Sequence, residues 1–110
     1  MAKRTVERVV PSSGNIFADM GLPDADELDT KARLGAVLCR VVERRRLTQA
    51  QVATALAINQ PKVSALLNYK LAGFSVERLM HFLVVLGHDV EIVIKTRPRS
   101  RSARIAVIAA

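Results

Sequence analysis

Cys39 is the only cysteine in 110 residues, so the chain can close no disulfide on itself and build no cysteine-based zinc site, as expected of a protein kept in a reducing cytoplasm. Tryptophan is absent, and the only aromatic rings are Phe17, Tyr69, Phe74 and Phe82. A core therefore has to come from Val, Leu, Ile and Ala. His81 and His88 are the only histidines, and neither has carboxylates at metal-ligand spacing, so structural roles and no bound metal are expected. No apolar run approaches the ~18 residues of a membrane span. Lys3 and Arg4 resemble the start of a signal peptide, but Glu7 and Arg8 break the apolar stretch that should follow, and a soluble, cytoplasmic protein is expected. The sequence holds no phosphate-binding glycine loop, dinucleotide fingerprint, nucleophile elbow or zinc-protease motif, which argues against an enzyme and against a cofactor.

What the chain does have is apolar bulk, half of all residues, and base. Its length suits one compact domain. The net charge of +7 is unevenly spread. Residues 1–30 set Lys3, Arg4 and Arg8 against Glu7, Asp19, Asp24, Asp26, Glu27 and Asp29, a local charge of −3; residues 31–110 keep only Glu43, Glu77, Asp89 and Glu91 among their acids and carry +10. A basic body suits a polyanion such as nucleic acid, and an acidic leader suits a basic protein or water.

Three zones follow. Residues 1–27 have no helical period and are rich in turn formers (Pro11, Ser12, Ser13, Gly14, Asn15, Gly21, Pro23), an acidic arm in which Thr5 to Val10 suggests a short strand and Asn15 to Leu22 a turn or short helix. Residues 28–96 form the domain. Leu34, Val37, Leu38 and Val41 mark one face of a first helix from about Leu28 to Arg45, with acids at its start and Arg44 to Arg46 at its end, a charge cluster that complements the helix dipole. Thr48 and Gln51 have capping-box spacing ahead of Val52, Ala53 and Leu56; Asn59 and Pro61 open a third helix, with Val63, Leu66 and Leu67 inward. Leu71 to Phe74 is a loop, and Ser75 caps a fourth helix with Val76, Leu79, Met80 and Leu83 inward, stopped by Gly87. Residues 89–96 alternate with period two and predict a strand that must pair with the Thr5 to Val10 segment or with its own copy in a second subunit. Residues 97–110 form a basic tail, expected to be disordered; its apolar end, Ile105 to Ala110, has no evident purpose.

Two short helices around a tight turn, with polar residues opening the second, are the anatomy of a helix-turn-helix. Leu47-Thr48-Gln49-Ala50-Gln51-Val52-Ala53 followed by Ile58-Asn59-Gln60-Pro61-Lys62-Val63-Ser64 resembles the Xre, lambda-repressor-like pattern, and Phe74 to Leu83 with Gly87 to Ile94 continues it. The whole run, with Ser12 to Phe17 before it, is similar to HigA-like antitoxins. The resemblance implies a mainly α domain of four to five helices with a C-terminal strand, paired across a dimer. It departs at Ala57, where the turn usually holds Gly, and at Tyr69, where Gly often follows the Asn; an alanine at positive φ would cost about 1 kcal/mol.

With Val63, Leu66 and Leu67 inward, the outer face of the third helix offers Gln60, Lys62, Ser64 and Ala65 to bases: Gln suits adenine, Lys suits guanine and Ala a thymine methyl. The start of the second helix (Thr48, Gln49) and Asn68, Tyr69 and Lys70 resemble the family's phosphate-contacting positions. The reading is a sequence-specific regulator of double-stranded DNA, acting as a homodimer joined through Val90, Ile92 and Ile94. The resemblance further implies an antitoxin that represses its own operon and binds a RelE-type toxin; the segregated acid points to the arm as the contact, through Phe17, Asp19, Met20 and Leu22, the alternative being that the arm folds back on its own basic domain or adds Thr5 to Val10 to the sheet. The alternatives are a repressor without a toxin, or a helical interaction module that has lost DNA binding. Cys39, amid Leu38, Val41 and Val42, reads as a core residue.

Overall fold

A computed structural model describes residues 8–9 and 25–109. Four helices form the body: α1 (Ala25–Arg44), α2 (Gln49–Leu56), α3 (Gln60–Leu67) and α4 (Val76–Val85). Asp26 and Glu27 at the start of α1 and Arg44 at its end complement its dipole, and the Arg33–Asp29 pair (2.8 Å) ties adjacent turns. The helix begins ahead of the periodic stretch, because its first turn is polar and leaves no trace in the apolar pattern.

Each later helix opens on the cap its sequence specifies. Thr48 Oγ1 accepts from the Gln51 amide (3.1 Å) while Gln51 Oε1 accepts from the Thr48 amide (2.8 Å), a complete capping box. Asn59 Oδ1 accepts from the Lys62 amide (2.9 Å) and Ser75 Oγ from the Arg78 amide (3.0 Å).

The four helices also stop alike. Leu47, Ile58, Lys70 and His88 donate their amides back five residues to Val42, Ala53, Ala65 and Leu83, each closing a turn around a left-handed residue. That residue is Arg46 (φ 54°), Ala57 (φ 56°), Tyr69 (φ 59°) or Gly87 (φ 89°). Only the last is a glycine.

Leu38, Leu66, Leu79, Val52 and Val63 are the most deeply buried large side chains, at least one from every helix, and α1 packs on α3 and α4 while α2 packs on α3 and α4. The loop between α3 and α4 is not mere connection. Leu71 and Phe74 are buried in the core, and the Phe74 ring meets Phe82 edge-on at 5.9 Å with the Arg78 guanidinium over both.

Two expectations fail. Residues 89–96 are not a strand: they run without regular structure, and of the three residues assigned to pairing only Val90 is packed against the core, while Ile92 and Ile94 are 75% and 92% exposed. A lone strand has no ladder to complete, and the Thr5 to Val10 region offers its edge elsewhere. Its described part, β1 (Arg8–Val9), pairs antiparallel with β2 (Ile108–Ala109), Arg8 opposite Ala109 and Val9 opposite Ile108. The apolar end of the tail is accordingly ordered: Val107 packs against the core and Ile108–Ala109 form a strand. The arm residues Phe17, Asp19, Met20 and Leu22, and the helix expected over 15–22, lie outside the described residues.

Candidate nucleic-acid interface

Between Glu43 and Glu77 the chain holds no acidic side chain, and this acid-free stretch, which contains α2 and α3, carries Arg44, Arg45, Arg46, Lys62 and Lys70. Burial of Val63 and Leu66 turns the opposite side of α3 outward. Gln60 and Lys62 in its first turn are exposed; Ser64 and Ala65, one turn on, are half-buried. The Pro61 ring stands between the first two, fixing the backbone of that turn without removing a needed hydrogen bond, since the amide of the first helical turn has no partner within the helix. The arrangement is a short exposed edge with one amide side chain and one cation, able to reach base edges in a groove.

Thr48 and Gln49 are exposed at the start of α2. The capping box engages the Gln51 amide, so those of Gln49 and Ala50 are the ones a phosphate could bind, and the dipole there favours an anion. At the other end of α3, Asn68, Tyr69 and Lys70 are exposed together. Asn68 is partly committed: its Nδ2 donates to the Ser64 carbonyl at 2.8 Å, closing the helix end, which leaves the other amide hydrogen and the oxygen for a ligand.

Tyr69 is held against α1 by Gly35, which the apolar pattern leaves without a role, and by Cys39, which reads there as a core residue. Its ring lies 3.6–3.7 Å from the position a β-carbon would take at Gly35 on α1, where Leu71 also approaches to 3.2 Å. A side chain at 35 would push on both. One turn along the same face, Cys39 donates its thiol to the Leu67 carbonyl at 3.8 Å. Two small residues four apart on α1 were the available signal for this close approach. Burial raises the Cys39 thiol above its ordinary 9.0, the neighbouring Tyr69 phenol pulls it down and Glu43 adds to the rise; burial likewise raises Tyr69 above 10.0, with Cys39 and Glu43 adding to it and Arg40 opposing. Both groups stay protonated at neutral pH, so the pair is an uncharged support under the end of α3.

Residues 16–95 match the helix-turn-helix domain family. A solved structure of a protein assigned to the XRE family of transcriptional regulators is 63% identical, with a TM-score of 0.76, over 80% of this chain and 100% of that one. The chain belongs to the Xre-type helix-turn-helix family. No curated protein matches it. As an Xre-type protein it is a DNA-binding regulator of transcription, and α2 and α3 are its helix-turn-helix pair, joined through Ala57 and Ile58. No helix among the described residues is long and apolar enough to cross a membrane, and none of their His, Cys, Asp and Glu side chains gather in a group of three or more that could hold a metal ion.

Proposed function

We propose that this Xre-type protein is a sequence-specific repressor that inserts α3 into the major groove, reads bases with Gln60, Lys62, Ser64 and Ala65, and grips phosphates with the start of α2 and with Asn68, Tyr69 and Lys70. The observation that carries this is the exposure of Gln60 and Lys62 on an acid-free helix whose far side is locked into the core. It works as a homodimer, since one short helix reads few base pairs and two half-sites about one turn, ~34 Å, apart need two copies. Ile92, Val93 and Ile94, apolar and exposed, supply the contact between the two copies. No catalytic group is needed for any of these steps, and the protein is not an enzyme.

The finer reading is an antitoxin that represses its own operon. Its support is charge segregation: residues 1–30 carry −3 and the remainder +10, so a basic RelE-type toxin and DNA can be held by separate segments of one chain.

The DNA roles are tested by selecting a preferred duplex from a random pool and measuring Gln60→Ala and Lys70→Ala against it and against mismatched versions. Loss of Gln60 should relax preference at one base position by about 1–3 kcal/mol, whereas loss of Lys70 should weaken every sequence alike. Equal effects from both on matched and random DNA overturn the assignment.

A further inference from the structure

Residues 95–104 read Lys95-Thr96-Arg97-Pro98-Arg99-Ser100-Arg101-Ser102-Ala103-Arg104, five cations and no acid, all but Lys95 beyond the region that matches the helix-turn-helix family. All are exposed except Arg101, which is half-buried. None of the five cations is ion-paired with a described carboxylate. Arg97 Nη1 donates to the Arg101 carbonyl at 3.0 Å and Arg101 Nη1 to the Ser102 carbonyl at 3.1 Å, which shapes a turn over 98–101 and leaves most of each guanidinium fork unused.

The place where this segment is fastened matters more than its composition. His88, where it leaves the body, and Ala109, where it returns, line one groove together with Val37, Arg40, Val41, Arg44 and Arg45 of the last turns of α1 and the turn beyond. Both ends of the excursion are therefore pinned beside Arg44 and Arg45. Arg45 is three residues from Thr48, at most about 11 Å of chain, so the groove adjoins the phosphate-binding start of α2. From Ala109 back to Arg104 is five residues, no more than about 18 Å. The basic loop is thus tethered by a short length of chain to a groove that Arg40, Arg44 and Arg45 line, and Arg46 follows that groove two residues before Thr48.

We infer that residues 95–104, with Arg44 to Arg46 behind them, form a second DNA-binding element that clamps the phosphate backbone flanking the site read by α3. The partner is DNA rather than an acidic protein, because the segment holds no aromatic or large aliphatic side chain to anchor a protein interface, whereas a phosphate backbone asks only for charge and donors, which Arg, Lys, Ser and Thr supply. This assignment rests on the DNA-binding reading of α2 and α3.

The test uses the full chain with Arg97, Arg99, Arg101 and Arg104 all changed to Gln, and as a milder second variant Ser100→Glu with Ser102→Glu, which adds repulsion at two exposed positions. Affinity for a 30-base-pair random duplex and for its 14-base-pair core is measured from about 50 to 200 mM salt, with circular dichroism to confirm folding. Each lost phosphate contact lowers the slope of log affinity against log salt by about 0.9, so the Arg variant should lose about 2–4 from the slope and at least about tenfold in affinity at 100 mM. The loss should shrink on the short duplex, and the Ser variant should weaken binding in the same sense. Wild type that binds the long duplex alongside variants of unchanged slope overturns the clamp alone; wild type that binds no duplex at any salt overturns the DNA reading, and the clamp with it. An unchanged slope combined with loss of an acidic protein partner likewise overturns it in favour of protein recognition.

Discussion

Ala57 is the residue on which the helix-turn-helix closes, and it does so at φ 56°, ψ 42°. Its amide bonds back toward the last turn of α2, and Ile58 reaches Ala53 at 3.1 Å, so the strained conformation is held by hydrogen bonds that end one helix and aim the next. A methyl group in this region costs about 1–2 kcal/mol, while glycine gives back about 0.5–1 kcal/mol through the freedom of the unfolded chain. Ala57→Gly should therefore stabilise the protein by about 0.5–1 kcal/mol, raising the thermal midpoint by a few degrees with DNA affinity unchanged. A lowered midpoint would mean that the methyl group contributes packing that its exposure does not suggest. The same substitution at Tyr69 is not equivalent, because that ring lies over Gly35 and carries a contact glycine cannot replace. The sequence alone flags both positions as departures from glycine. It does not flag Arg46, whose left-handed turn has no special residue to announce it.

At the scale of elements, the helices were legible because their signals are local. Thr48 with Gln51, Asn59 with Pro61, and Ser75 each act within four residues, and each boundary falls where the cap stands. The strand over 89–96 was misread because alternation reports only that a segment can pair, and pairing needs an edge elsewhere. The tail was misread in the opposite sense: five basic residues dominate its composition, and the short apolar end that pairs with Arg8–Val9 is outweighed. Leu71 and Phe74 do lie in a loop, but their burial is not legible in the sequence, because a segment without a period gives no inward face, although Phe74 is among the few rings available to the core. The segment also carries its own prediction. Ile92 and Ile94 stand largely in water next to Val93, 77% exposed, and on the homodimer reading these three adjacent apolar residues are where a second copy would dock. On the homodimer reading, Ile92→Pro takes an exposed side chain and a backbone donor out of that contact, and should shift the protein to monomer in sedimentation and reduce affinity for a two-half-site duplex, while α1 to α4 keep their stability. A wild-type monomer that binds such a duplex as tightly as the variant does would rule that contact out.

Across the whole molecule the charges are sorted along the chain, and β1–β2 pairing joins its two extremities, which constrains how the acidic arm can be tested. Removing residues 1–27 would delete Arg8–Val9, the partner of Ile108–Ala109, and the first turn of α1 from Ala25 to Glu27. Such a deletion would disturb the tail and the body together, and lost toxin binding would have no single cause. Changing Phe17, Met20 and Leu22 to Ser, with Asp19→Asn in a separate variant, leaves both elements in place. On the antitoxin reading the apolar positions supply the anchors and Asp19 part of the attraction for a basic surface. The triple variant should fail to restrain a RelE-type toxin in a messenger-RNA cleavage assay at concentrations where the wild type suppresses it, and Asp19→Asn should slow association, with a smaller effect at high salt. DNA affinity should be unchanged in both, since the acid-free surface of α2 and α3 is untouched. Full toxin suppression by the triple variant would remove the arm from toxin recognition and leave the protein a repressor whose acidic leader serves its own basic body.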